Sequence, residues 1–132
     1  MRRCLREWLL LGTLSYLVAG CAFDVVHVKQ APTSFTSGEG KAFKLDREVK
    51  VNLGTGFPTT LKAGTVWTLA GSSQHGDVYR TRDQVVKVEA SNIYEAFIVV
   101  ADESLVGFYL PVEETFAPIK KPIELQIDSL DP

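Results

Sequence analysis

The chain of 132 residues is the length of one domain. It is 45% hydrophobic and 23% charged, an ordinary balance for a globular protein. The 14 Lys and Arg and the 16 Asp and Glu are interspersed, and no basic stripe survives that would recognise nucleic acid.

In chain order, Arg2, Arg3 and Arg6 precede an uncharged run from Trp8 to Gly20, and small residues close it. A basic start, a short apolar middle and a small-residue exit are the parts of an export signal. The run is too short for a transmembrane helix, which needs roughly 20 apolar residues, and Gly12, Thr13 and Ser15 weaken it further. Cys4 would leave with the signal. Cys21 would then have no partner for an internal disulfide, so the exported part must fold on packing alone.

Val18-Ala19-Gly20-Cys21 resembles the lipobox of bacterial lipoproteins, in which an aliphatic residue and two small residues precede a cysteine. The resemblance covers only the signal and the cysteine. It implies cleavage between Gly20 and Cys21, diacylglycerol on the Cys21 thiol and acylation of the new amino group. It also implies attachment to the membrane through a lipid anchor. The next residue is Ala22 rather than the aspartate that often retains such proteins at the inner membrane. The expected location is therefore the periplasmic face of the outer membrane. Residues 1–20 are then the signal peptide and 21–41 a lipidated N-terminus with a tether rich in small and turn-forming residues. Residues 42–132 are a small β domain.

From there the pattern is β. Val49, Val51 and Leu53 alternate with polar residues, and Gly54 to Pro58 stops the strand. Leu61 to Gly71 turns at Ala63-Gly64 and then runs β-branched and aromatic. Gly76 to Arg80 and Val85 to Ala90 follow as further strands. Ile93 to Ala101 and Leu105 to Pro111 flank Asp102-Glu103-Ser104 as a hairpin, and Ile123, Leu125 and Ile127 alternate in a last strand. No window carries a helical period. The expected fold is all-β, a small antiparallel barrel or sandwich, and Leu61 to Arg80 has the rhythm of SH3-like barrels.

The hairpin is apolar on both faces. Either its strands are central and covered on both sides, or one face is an exposed patch that binds. Trp67, Tyr79, Tyr94 and Tyr109 are the candidate binding face, as anchors for a protein partner or a sugar ring. Ser73, His75 and Asp77 have the residue types of a catalytic triad. Alternate residues on one strand stand parallel instead of converging, however, and no G-x-S-x-G elbow is present. His27 and His75 lie too far apart for a zinc pair, and no calcium loop is present. Glu113 and Glu114 are adjacent, so in an extended segment they point apart and do not flank one glycosidic bond. The sequence therefore predicts no catalytic residues, metal or cofactor. It predicts an anchored envelope protein whose domain binds or supports another envelope component, a protein or a cell-wall glycan. The alternatives are a small periplasmic cell-wall hydrolase and an inhibitor or exclusion lipoprotein from a mobile element.

Overall fold

A computed structural model describes residues 28–29, 34–35 and 41–130. The signal, the lipobox, Cys21 and His27 lie outside them. The described part is all-β and antiparallel. The strands are β1 (Val28–Lys29), β2 (Ser34–Phe35), β3 (Ala42–Leu45), β4 (Val49–Val51), β5 (Thr59–Leu61), β6 (Val66–Ser73) and β7 (Gly76–Thr81). They continue with β8 (Lys87–Glu89), β9 (Ile93–Glu95), β10 (Phe97–Ala101), β11 (Ser104–Leu110), β12 (Thr115–Glu124) and β13 (Ile127–Ser129). Among the described residues no helix is long and apolar enough to cross a membrane.

The main sheet runs β1-β12-β11-β10-β7-β6-β3-β13, with β2 also on β6. β1 and β2 belong to the stretch expected as a free tether. Val28 pairs with Phe116 and Ser34 with Ser72, so the sheet takes up part of that stretch. The expected last strand is also divided. β12 ends at Glu124 beside β11, and β13 starts at Ile127 beside β3, six strands away along the order.

That division fixes the shape. Six inter-strand gaps of about 4.8 Å would place β12 and β13 about 29 Å apart in a flat sheet. Three Cα steps from Glu124 to Ile127 reach no more than about 11 Å. The sheet must curl until its edges meet, and Leu125-Gln126 is the seam. Leu125 N–H donates to Glu103 O at 3.0 Å, while Asp46 N–H donates to Gln126 O at 2.8 Å. Irregular register at Leu69/Gly71, Val99/Val100 and Leu105/Gly107 adds the twist that curling needs. Hydrogen bonding leaves the order open, so no closed barrel forms. The small pairs β4-β5 and β8-β9 cover the concave side instead, as in a sandwich. Thr59 Oγ1 donates to Lys87 O at 3.1 Å and Thr55 Oγ1 to Glu89 O at 2.7 Å, joining the two pairs.

The concave side holds the main core, built on Trp67, Phe108, Leu45, Leu61, Ile98 and Leu105. A second cluster lies on the other face of β7, β10, β11 and β12: Val78, Val99, Tyr109 and Phe116. Both faces of β10 and β11 are thus largely buried, the first of the two arrangements the hairpin allowed, whereas Ile93, 66% exposed, lies in β9, which splits from the expected strand and pairs with β8. Gly107 shows how tightly the second cluster is built. A Cβ there would lie 2.5 Å from Ala117 O and 2.6 Å from Phe116 Cε2, so the phenylalanine ring rests on bare backbone. The imidazole of His75 stacks on that ring, with centroids 4.0 Å apart and planes 10° from parallel.

Gly107→Ala should therefore lower stability by about 1–3 kcal/mol, the usual cost of overpacking, visible as a lower urea midpoint. An unchanged midpoint would show that the ring is not seated on the backbone. The seam gives a second test. A side-chain hydrogen bond with Asp128 holds the Asp46 carboxyl above its ordinary value of 3.8; loss of solvent and the charge of Asp128 push the same way, against Lys44 and Arg47. The folded state holds this proton more tightly than the unfolded one. The stabilisation is complete below 3.8 and is lost as pH rises through the elevated folded value. In Asp46→Asn this dependence should vanish, so its melting temperature should gain on the parent's as pH is raised. A constant difference between the two would contradict the shared proton.

Candidate functional site

The four aromatic residues expected to form a binding face are buried: Trp67 at 0% exposure, Tyr109 at 3%, Tyr79 and Tyr94 at 8%. Trp67 faces the main core because strand alternation turns it inward from Val66 and Thr68, and its Nε1–H donates to Thr65 Oγ1 at 2.8 Å. Tyr79 meets Phe43 edge-on at 4.9 Å. Tyr94 accepts from Asn92 Nδ2 at 3.4 Å, and Tyr109 lies 6.4 Å from Phe97 in the second cluster. None presents an open ring to a partner. Register decides this, since a one-residue slip would have reversed each of them.

Ser73, His75 and Asp77 sit at the β6-β7 hairpin but do not assemble. Ser73 Oγ donates to Gly76 O at 3.0 Å and accepts from His75 N–H at 3.2 Å. The His75 ring lies on Phe116, with Nε2 3.1 Å from Gln74 Nε2. The hydroxyl thus closes the turn and the imidazole packs on the sheet. Glu113 and Glu114 are exposed in the β11-β12 turn, where Glu114 has φ of 55°. Among the described residues no three His, Cys, Asp or Glu side chains gather as metal ligands.

A shallow groove of about 380 Å³ opens instead on the outer side of β6 and β7, lined by Val66, Thr68, Leu69, Arg80, Arg82 and Asp83. Its frame is well fixed. Thr68 pairs with Arg80 and Trp67 with Thr81 across the ladder. Beyond the ladder, Thr81 Oγ1 donates to Val66 O at 2.6 Å and accepts from Asp83 N–H at 3.1 Å. Asp83 Oδ2 in turn accepts from Val66 N–H at 2.6 Å. Arg82, in the bend just past β7, is held between two anchored residues, and Arg80, two positions before it, lines the same groove. Both arginines are exposed, and neither side chain has a hydrogen-bond or ion-pair partner among the described residues.

The signal for this groove was in the sequence as Arg80-Thr81-Arg82, two like charges with one residue between them. Among the arginines after the tether, Arg47, Arg80 and Arg82, two share this one surface.

Comparison of the chain with protein-family models, with curated proteins and with solved structures finds no match. Asp83→Ala should leave Val66 N–H without its acceptor and cost about 1 kcal/mol. Arg82→Gln should stay within about 0.5 kcal/mol of the parent. Urea unfolding of both variants checks the pair, and equal losses would mean that Asp83 does not frame the groove.

Proposed function

We propose that the chain is a lipid-anchored cell-envelope protein, acylated at Cys21, whose β domain binds or supports another envelope component. The observation that carries this reading is Val18-Ala19-Gly20-Cys21 at the end of an arginine-led apolar run. The anchor would be the acyl chains on Cys21, inserted at the periplasmic face of the outer membrane. Each buried methylene contributes about 0.8 kcal/mol, and stable anchoring takes more than one chain.

The described architecture supports a surface-bound adaptor of this kind. Seven Cα steps from Cys21 to Val28, the first residue held by the sheet, reach no more than about 25 Å. The domain would ride close to its membrane rather than range far from it. Its grooves are shallow and open, the form of a surface that meets a larger partner. A protein of the envelope or a cell-wall glycan is the partner class. Catalysis plays no part in this reading.

Cys21→Ala should move the protein from the membrane to the soluble fraction and remove the acyl mass from its N-terminus. Membrane association and an intact mass unaltered by the substitution would end the lipoprotein reading. Crosslinking in intact cells, followed by mass spectrometry of the recovered adducts, should return one envelope protein or covalently held wall fragments above a Cys21→Ala control.

A further inference from the structure

We propose that the groove between β6 and β7 is a phosphate-binding site, gripped by the guanidinium groups of Arg80 and Arg82. This deepens the envelope-binding reading by naming a ligand class, and it rests on that reading only for the source of the phosphate. Three observations meet here. Both arginines line one open groove, and neither has a partner among the described residues. Their backbone is clamped by the β6-β7 ladder and by the Thr81, Asp83 and Val66 network, so little ordering remains to be done on binding. The groove also presents the Thr68 hydroxyl, whose bond to Arg80 O is long, at 3.4 Å, and readily exchanged.

The choice of phosphate over carboxylate follows from oxygen count. One guanidinium fork takes both oxygens of a carboxylate, which leaves the second arginine idle. A phosphate or phosphodiester offers oxygens to two forks at once. Arg80, near the end of β7, and Arg82, in the bend just past it, line the same groove, so two long side chains can close on one tetrahedral group. Asp83 lines the same groove, yet its Oδ2 is bonded to Val66 N–H, and two cations against one anion leave the lining positive. The lysines of the domain would attract an anion as point charges; the planar forks of Arg80 and Arg82 select its shape.

The test uses the full chain in neutral detergent, with inorganic phosphate titrated against thermal unfolding at constant ionic strength. A saturable rise in melting temperature is expected with phosphate and not with acetate. Arg80→Gln/Arg82→Gln should weaken the apparent affinity at least tenfold. Arg80→Lys/Arg82→Lys, which keeps the charge but loses the forks, should recover only part of it. Lys120→Gln/Lys121→Gln, outside the groove, should bind like the parent. In a parallel arm, co-sedimentation with phosphatidylglycerol vesicles is compared with phosphatidylcholine vesicles. Binding to the former without binding to free phosphate, and lost in the glutamine pair, would place the phosphate in a lipid headgroup. Equal response to acetate, binding that survives the glutamine pair, or no binding in either arm would overturn the proposal. The intact mass of the same sample reports acylation of Cys21 separately, so failure of the groove and failure of the lipoprotein reading are told apart.

Discussion

Everything in this domain depends on two residues, Leu125 and Gln126, reaching from one edge of the sheet to the other. A chain that leaves β12 and enters β13 three Cα steps later leaves no room for a flat sheet between them. Curling makes one face concave, and the concave face then has the volume for Trp67, Phe108 and their neighbours. The bridge is attached at both ends by backbone hydrogen bonds, to Glu103 on one side and from Asp46 on the other. Glu103 is able to receive it because the two-residue turn Asp102-Glu103 has left-handed backbone, with φ of 51° and 60°. That conformation suits the twist of a tight hairpin, although glycine or asparagine adopts it with less strain. Local strain in one turn is thus tied to the curl of the whole sheet.

Curling has a second effect, on the face turned outward. The four strands that carry Val78, Val99, Tyr109 and Phe116 would show water an apolar surface if nothing lay over them. Phe116 leans across Gly107, and the β6-β7 hairpin brings His75 onto Phe116. The hairpin can come that close because Gly76 has φ of 150° and no side chain; a Cβ there would sit 2.6 Å from Val100 O. His75, the most chemically suggestive residue of its loop, is therefore spent on packing. The groove of Arg80 and Arg82 lies on the same hairpin, farther from its tip. One fixed ladder thus supports both the cover and the site.

Much of the strand pattern was legible in the sequence because half-buried strands alternate. Val49 and Val51, Val86 and Val88, and Ile98 and Val100 all point inward as their spacing implied. The turn at Ala63-Gly64 and the hairpin at Asp102 were equally plain. β12 was not legible, since Pro118 and Pro122 interrupt it and prolines argue against a strand interior. The chain resolves this by losing register: Gly107 pairs with Pro118 and Leu105 with Ile123, which leaves Ile119 to Pro122 opposite Val106. The aromatic binding face misled for a different reason. Size and polarity mark a residue as fit for a core and for an interface alike, and only register separates the two. Arg80 and Arg82 come together only in the folded groove that both line beside the β6-β7 ladder.

The interrupted strand also governs what the protein cannot do. β12 lies near one border of the sheet, and among the described residues β1 covers its first two, Thr115 and Phe116. A bare border of regular strand is a template on which further copies can stack, the first step toward fibrils. Stacking needs donors at even intervals, and prolines at 118 and 122 have none to give. The displaced stretch between them, with Lys120 and Lys121, spoils the flatness and adds like charge. The same irregularity that lets β12 bend toward the seam thus leaves this stretch without the even row of donors on which another strand would pair.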